Sequence, residues 1–377
     1  MRKAGRFVVE THTHITTLYQ PEWEVKNWRG LANAPEDGAV TKFDNSPLTL
    51  YDMDVYGIDM CLLKPSMIGT TNEGQVELVE KYPDKFRAFC ADQTTKYKAQ
   101  TTKYKAATGE AKWSLQAAVD EIEAALKTGN YIGIGEFVPR DWDPKKVYSF
   151  EERLEEYRIF ADLARKYKVS MDFHEFSWGY EWDVWKLAAR ITNEYPDVTF
   201  IICHAGHSIG SYIEKDTAIR KACAVAAGGD KAYGRNVYLE TGTWPAEYYK
   251  IALEDPNVGV SQLLWGSDYG HVPQYIVTDP GRSPSSYSTM IKKWPAVPHY
   301  QPDWWGWALH QIDKIRDDVT QDEINLILGG NAAKIWKLPV PHERMFLCGR
   351  PDIWGIHWEE SIPAVSIDQV KYPDKKD

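Results

Sequence analysis

Short, almost continuously apolar runs alternate along the chain with stretches whose apolar residues recur every three or four positions. Because the runs are apolar on both faces, they are typical of parallel strands that are covered on each side. We predict strands at residues 6–11, 58–64, 86–91, 131–137, 169–174, 198–204, 236–241 and 261–267.

The segments between these runs carry helix signals. Residues 114–126 place their apolar side chains on one face at helical spacing. Ser149 and Glu152 have the sequence of a capping box that opens a helix, and Thr320 and Glu323 repeat the signal. The pattern as a whole therefore predicts an α/β protein in which strands and helices alternate.

Eight strands, each followed by helical sequence, favour a (β/α)8 TIM barrel, with a doubly wound open sheet as the structural alternative. We expect one domain over residues 1–377, with the barrel at about 6–338 and an irregular tail, 339–377, packed on it. Residues 93–106 hold the tandem repeat QTTKYKA-QTTKYKA. We interpret it as a duplicated surface segment.

Composition and charge restrict the partners. The 377 residues include 54 acidic and 44 basic side chains, a net charge of −10, which disfavours nucleic acid. No run approaches the ~18 apolar residues of a membrane span, and no apolar signal segment opens the chain. The five cysteines are scattered, which favours a reducing, cytoplasmic setting. We expect a small-molecule substrate, and the tail after Leu338 together with the exposed aromatic residues is compatible with a homodimer.

Polar side chains gather where the predicted strands end, which is the catalytic face of a (β/α)8 barrel. His12 and His14 end the first strand, and their spacing of two places both imidazoles on one side of it. His174, His204 and Asp268 end the fifth, sixth and eighth strands. Such groups are costly in a low-dielectric barrel mouth unless a metal or a hydrogen-bond network satisfies them, so we predict a divalent metal site.

This pattern resembles the amidohydrolase superfamily, and within it the group that includes aminocarboxymuconate-semialdehyde decarboxylase. The resemblance implies that His12, His14, His174 and Asp268 are metal ligands. It implies that His204 is an acid/base or, in binuclear relatives, a second-metal ligand. The segments that carry it are VVETHTHI (8–15), MDFHEF (171–176), FIICHAGHS (200–208), LLWGSDYGH (263–271) and GGNAAKIWKL (329–338).

Two acidic residues depart from the pattern. Glu10 stands where many relatives have Asp. Glu136 ends the fourth predicted strand, where some hydrolytic relatives place a carboxylate that bridges two metals. The alternative for Glu136 is a salt bridge with Arg140 or Lys64. A bridging Glu136 would be a metal ligand and would favour hydrolysis.

Two chemistries fit these residues. In a hydrolase, a cation such as Zn²⁺ lowers the pKa of a water, Asp268 takes its proton, and His204 stabilises the oxyanion or protonates the leaving group. We favour this reading because of Glu136. The alternative is non-oxidative decarboxylation of an aromatic or unsaturated acid, with one metal and no role for Glu136. A non-catalytic binding protein is a third reading.

The expected substrate is a small carboxylate-bearing aromatic or conjugated molecule. Trp28 and Trp304 lie in long segments after the first and last strands, where they could line a flat apolar slot. Arg140 and Lys64 are the candidate carboxylate anchors. Zn²⁺ is the expected ion, and Mn²⁺ and Fe²⁺ suit the same donors.

Overall fold

The computed structural model describes thirteen segments of the chain. They are residues 6–15, 18–20, 41–43, 46–65, 72–92, 114–137, 149–174, 184–206, 217–227, 236–242, 244–256, 258–268 and 304–340. The QTTKYKA repeat, most of the predicted tail and the residues Trp28 and Arg140 lie outside these segments. Glu136 and Trp304 belong to described elements, but their side chains lie outside the described part.

Eight parallel strands form one nearly closed barrel. In spatial order they are β1 (Val9–Thr13), β4 (Met60–Leu63), β5 (Phe86–Cys90), β6 (Tyr131–Phe137), β7 (Ser170–Phe173), β8 (Phe200–Ile202), β9 (Val237–Glu240) and β10 (Leu263–Leu264). The backbone amide of Thr11 in β1 donates to the carbonyl of Trp265, directly after β10, at 3.2 Å. The predicted TIM barrel is therefore confirmed, since an open doubly wound sheet would leave these two edges apart. A separate antiparallel pair is formed by β2 (Leu18–Gln20) and β3 (Thr41–Phe43).

Helices follow the strands and cover the barrel. They are α1 (Ser46–Tyr56), α2 (Asn72–Lys81), α3 (Leu115–Lys127), α4 (Phe150–Tyr167), α5 (Val184–Glu194), α6 (Thr217–Ala227), α7 (Ala246–Glu254), α8 (Trp304–Asp313), α9 (Gln321–Asn325) and α10 (Asn331–Trp336). Both predicted capping boxes are confirmed: Ser149 with Glu152 opens α4, and Thr320 with Glu323 opens α9. Within the described segments, no helix has the length and apolar character needed to cross a bilayer.

The core has two parts. The larger lies where buried strand residues meet the helices, for example Leu63, Ile122 and Phe160. A smaller cluster joins strand residues such as Leu62 to Ala333 of α10. The strands thus contribute apolar side chains to both clusters, as their near-continuous apolar sequence predicts.

Candidate metal centre

Three predicted ligands meet at the carboxyl ends of β1 and β10. The Nε2 atoms of His12 and His14 lie 3.1 Å apart. Oδ1 of Asp268 lies 3.4 Å from Nε2 of His12 and 3.0 Å from Nε2 of His14. His12 and His14 are buried and Asp268 is partly exposed, so the group faces the barrel mouth.

The other ring nitrogen of each histidine has its own partner. Nδ1 of His12 lies 2.6 Å from Oε2 of Glu240, and Nδ1 of His14 lies 3.0 Å from the backbone carbonyl of Lys64. A carboxylate and a carbonyl accept hydrogen bonds, so each Nδ1 is the donor. In a neutral imidazole the proton on Nδ1 leaves a lone pair on Nε2. Two lone pairs and a carboxylate oxygen therefore converge.

This donor set fits a divalent cation. Imidazole nitrogen and carboxylate oxygen bind Zn²⁺ at about 2.0–2.2 Å, which places neighbouring ligand atoms roughly 3.0–3.5 Å apart. The three observed separations of 3.0–3.4 Å agree with that spacing. Without a cation, three electron-rich atoms so close together repel one another. His12, His14 and Asp268 could therefore hold one ion.

His204 and His174 extend the centre away from β1. The ring centroid of His204 lies 5.4 Å from that of His12 in a stacked arrangement, and 5.1 Å from that of His174 in an edge-on one. His174 is not part of the three-donor group. The structure thus brings the five predicted histidine and aspartate side chains to one end of the barrel, with His204 between His12 and His174.

The backbone at two of these residues is in the left-handed region. His204 has φ 39° in a single 3₁₀ turn (Cys203–Gly206) after β8, and Asp268 has φ 59°. Residues other than glycine rarely adopt this conformation, and its cost is met only where the surroundings hold it in place. Asp268 belongs to the three-donor group and the His204 ring lies beside that of His12, so left-handed backbone occurs here at two residues whose side-chain direction matters.

Glu10 is not one of the three donors, but its carboxylate forms hydrogen bonds with several segments around them. Its carboxylate accepts hydrogen bonds from the amides of His12 and Ser267, from the Ser267 hydroxyl, and from Nε1 of Trp305 in α8. Burial raises the pKa of Glu10 to about 7, against the effect of the Ser267 and His12 hydrogen bonds. One carboxylate thereby connects β1, the residues after β10 and the tryptophan-rich helix.

Lys64 directly follows β4, and its side chain is fully buried. Its ammonium is 2.8 Å from Oδ2 of Asp172 and 3.0 Å from Sγ of Cys203. Burial by itself lowers the pKa of Lys64, but Asp172, Cys203 and Glu240 together raise it well above its ordinary value, so the side chain is charged. The charge of the predicted carboxylate anchor is thus already paired with Asp172. The role of Lys64 toward a substrate stays a prediction.

Glu240, at the end of β9, is the functional candidate that the sequence reasoning missed. It contacts His12 and is completely buried. Burial by itself raises the pKa of Glu240, but His12, Lys64 and His204 together hold it below its ordinary value. The available signal was its position, because Glu240 is the one charged residue of the predicted strand 236–241 and stands near its carboxyl end.

A nearly closed barrel with imidazoles and a carboxylate at the carboxyl ends of its strands is typical of (β/α)8 enzymes that use a metal ion. Residues 9–338 match the amidohydrolase family model. The chain therefore belongs to the amidohydrolase family, as the resemblance in its motifs indicates. No protein of curated function matches it by sequence.

Solved structures with the same fold include two decarboxylases. A dihydroxybenzoic acid decarboxylase from Polaromonas, with bound manganese and the inhibitor 2-nitroresorcinol, is 15% identical, with a TM-score of 0.51, and the match covers 90% of this chain and 99% of that one. A 2,6-dihydroxybenzoate decarboxylase from Rhizobium is 15% identical, with a TM-score of 0.50, covering 88% and 99%. At this level of identity the likeness concerns the fold.

Proposed function

We propose that this chain is a metal-dependent carboxy-lyase that decarboxylates a small aromatic or conjugated acid without oxidation. The observation that carries the proposal is the three-donor group of His12, His14 and Asp268, which suits a single cation. Within the described residues, the other donor group (His12, Cys203 and Glu240) shares His12 and lies against the ammonium of Lys64, which disfavours a second cation. One-cation chemistry is sufficient for decarboxylation.

Each residue of the centre has a distinct proposed role. His12, His14 and Asp268 hold the ion, with His174 as the proposed fourth ligand. When bound, the ion supplies positive charge that orients the substrate's carboxylate and an adjacent oxygen. His204, beside His12, delivers a proton to the ring or vinyl carbon that bears the carboxylate. The C–C bond then breaks, its electron pair re-forms the ring or vinyl π bond that protonation had used, and CO₂ leaves.

The two decarboxylases support this assignment only because they share the fold. The Polaromonas protein binds manganese, which suits a His/carboxylate donor set. We accordingly propose Mn²⁺ beside Zn²⁺ as an ion for this chain.

Hydrolysis is the second candidate, and Glu136 favours it. Glu136 lies on β6 at the carboxyl end of a barrel strand, where a carboxylate could bridge two cations. In that case Asp268 would take a proton from the attacking water and His204 would stabilise the oxyanion. With Glu136 as the bridge, this candidate predicts two ions per chain.

A metal count paired with product detection tests both candidates. The protein is stripped with a chelator, reloaded with Mn²⁺ or Zn²⁺, and assayed on a panel of hydroxylated aromatic acids, lactones and amides. We expect one ion per chain and release of CO₂ that needs the ion. His204→Asn should retain the ion and lose at least about 100-fold in rate, as for a general acid. The matched control is His310→Asn, an exposed histidine on α8.

The outcomes separate the candidates. Two ions per chain, with hydrolysis of a lactone or amide and no CO₂, would replace the carboxy-lyase by the hydrolase. A protein that retains no divalent ion would contradict both proposals. Full activity of His204→Asn would remove His204 from the mechanism.

A further inference from the structure

Glu240 holds two imidazole-bearing residues of the centre in place at once. Its Oε2 accepts hydrogen bonds from Nδ1 of His12 at 2.6 Å and from the backbone amide of His204 at 3.1 Å. Its Oε1 accepts a hydrogen bond from the backbone amide of Gly242. Each carboxylate oxygen is thus an acceptor, and the side chain has no exposed surface.

Two glycines provide the space for this carboxylate. A Cβ atom on Gly266, two residues before Asp268, would collide with Oε1 of Glu240. A Cβ atom on Gly242 would lie 2.9 Å from the same oxygen, closer than ordinary packing permits. Only residues without a side chain leave room for the carboxylate at these two positions. The backbone on both sides is therefore shaped around Glu240.

The contact with His12 decides which nitrogen faces the three-donor group. Because Oε2 accepts from Nδ1, the proton stays on Nδ1 and the lone pair of Nε2 points toward His14 and Asp268. A carboxylate behind a ligating imidazole also makes the imidazole more basic and fixes the direction of its ring.

The contact with His204 acts on the backbone. His204 has φ 39°, a conformation that its own sequence does not favour. The hydrogen bond from its amide to Oε2 connects this turn to the same oxygen that holds His12. Movement of either histidine would therefore disturb the other.

We propose that Glu240 is a positioning residue that sets the tautomer of His12 and the turn of His204 for metal binding and proton transfer. The inference rests on the proposed function, because it concerns the same centre. The competing explanation is that Glu240 only balances the charge of Lys64. A carboxylate that is too short to reach His12 would still balance charge, so the two explanations can be separated.

Three full-length variants make the test. Glu240→Gln keeps the shape and removes the charge, and Glu240→Asp keeps the charge but shortens the reach. The matched control is Glu156→Gln, which removes a buried carboxylate paired with Arg153 at 2.6 Å in α4, remote from the centre. Mn²⁺ affinity is measured by the electron paramagnetic resonance signal of the free ion. We expect both Glu240 variants to bind Mn²⁺ about 10–100-fold more weakly, and Glu156→Gln to bind as the wild type does.

A second measurement reports on His12 without any metal. A proton in a short imidazole–carboxylate hydrogen bond should give a far-downfield signal in the proton NMR spectrum of the metal-free protein. We expect this signal in the wild type and in Glu156→Gln, and its loss or upfield shift in both Glu240 variants. If Glu240 only balanced the charge of Lys64, Glu240→Asp would leave the signal unchanged.

The results distinguish this inference from the proposed function. If the wild type does not bind Mn²⁺, the proposed function fails. If the wild type binds Mn²⁺ and the Glu240 variants bind it equally well, only the positioning role fails. If Glu240→Asp matches the wild type in both measurements, charge balance is the correct explanation. If Glu240→Gln does not fold, Glu240→Asp decides the question by the same two measurements.

Discussion

The barrel mouth, where His12, His14 and Asp268 meet, differs in its polar residues from the helical shell, by which we mean helices α1 to α10 around the barrel. In the shell, charged pairs such as Arg165 with Asp197, 2.6 Å apart, stay partly exposed at 41% and 46%. At the mouth, His12 and Glu240 are both 0% exposed, 2.6 Å apart. Exposed pairs contribute little to stability, whereas buried polar groups are costly unless every partner is in place. The burial at the mouth therefore agrees with the proposed cation site better than with a gain in stability.

The backbone shows the same contrast. Lys168 and Lys337 in the shell have φ of 56° and 50°, and each ends a helix, where a left-handed residue is common. His204 and Asp268 at the mouth have the same kind of φ without ending an α-helix. A local conformation that terminates helices in the shell is thus used at the mouth to direct side chains.

The largest effect is expected when a ligand of the proposed metal centre is removed. His14→Ala removes one of the three converging donors, so the protein should no longer retain Mn²⁺. The loss of affinity should exceed the ~10–100-fold expected when a residue that only hydrogen-bonds to a ligand is replaced. The metal-free variant should still show a cooperative thermal transition, since no shell contact changes. Metal content after dialysis is the measurement. His174→Ala tests the proposed fourth ligand in the same way. Unchanged metal content in this variant would show that His174 is not a metal ligand.

A smaller effect is expected in the shell. Ser149→Ala removes the cap of α4, whose hydroxyl accepts from the amide of Glu152 at 3.2 Å. The free energy of unfolding should fall by about 0.5–2 kcal/mol in urea titrations. Mn²⁺ affinity should not change. Weaker metal binding in this variant would mean that shell and mouth are not independent.

The smallest effect concerns pH. Hydrogen bonds from Lys166, Tyr167 and Lys127 lower the pKa of Glu123 on α3 from its ordinary value of 4.5 to about 2. A carboxyl with a lowered folded-state pKa contributes stability that is present above about pH 4.5 and is lost as the pH falls toward 2. Glu123→Gln should therefore flatten the dependence of unfolding free energy on pH between 5 and 3. Urea titrations at several pH values measure it, and a slope equal to that of the wild type would contradict the assignment.

Much of the barrel could be predicted from local pattern. The predicted strand 131–137 has the bounds of β6, and the helix over residues 114–126 is α3 displaced by one residue. The last strand is shorter than predicted because Val260–Gln262 forms a 3₁₀ turn. Its final residues leave the sheet to carry Asp268. Where a strand ends depends on contacts with distant parts of the chain. The local sequence pattern does not contain that information.

The candidate site was partly predictable for the same reason. His12, His14 and Asp268 were found because each follows an apolar run, and the fold brings such ends together. The role of Glu240 is not visible in the sequence, because its partner His12 is 228 positions away in the chain. The sequence suggests Lys64 as a substrate anchor, whereas its ion pair with Asp172 becomes visible only in three dimensions.

The sequence by itself determined the alternation of strands and helices, the helix caps and the residue types at the strand ends, because each depends on neighbours a few positions apart. The tertiary structure decided which of those residues touch, which nitrogen of His12 is held by Glu240, and whether the charge of Lys64 is paired. These depend on contacts between distant segments, whose distances are set by closure of the barrel.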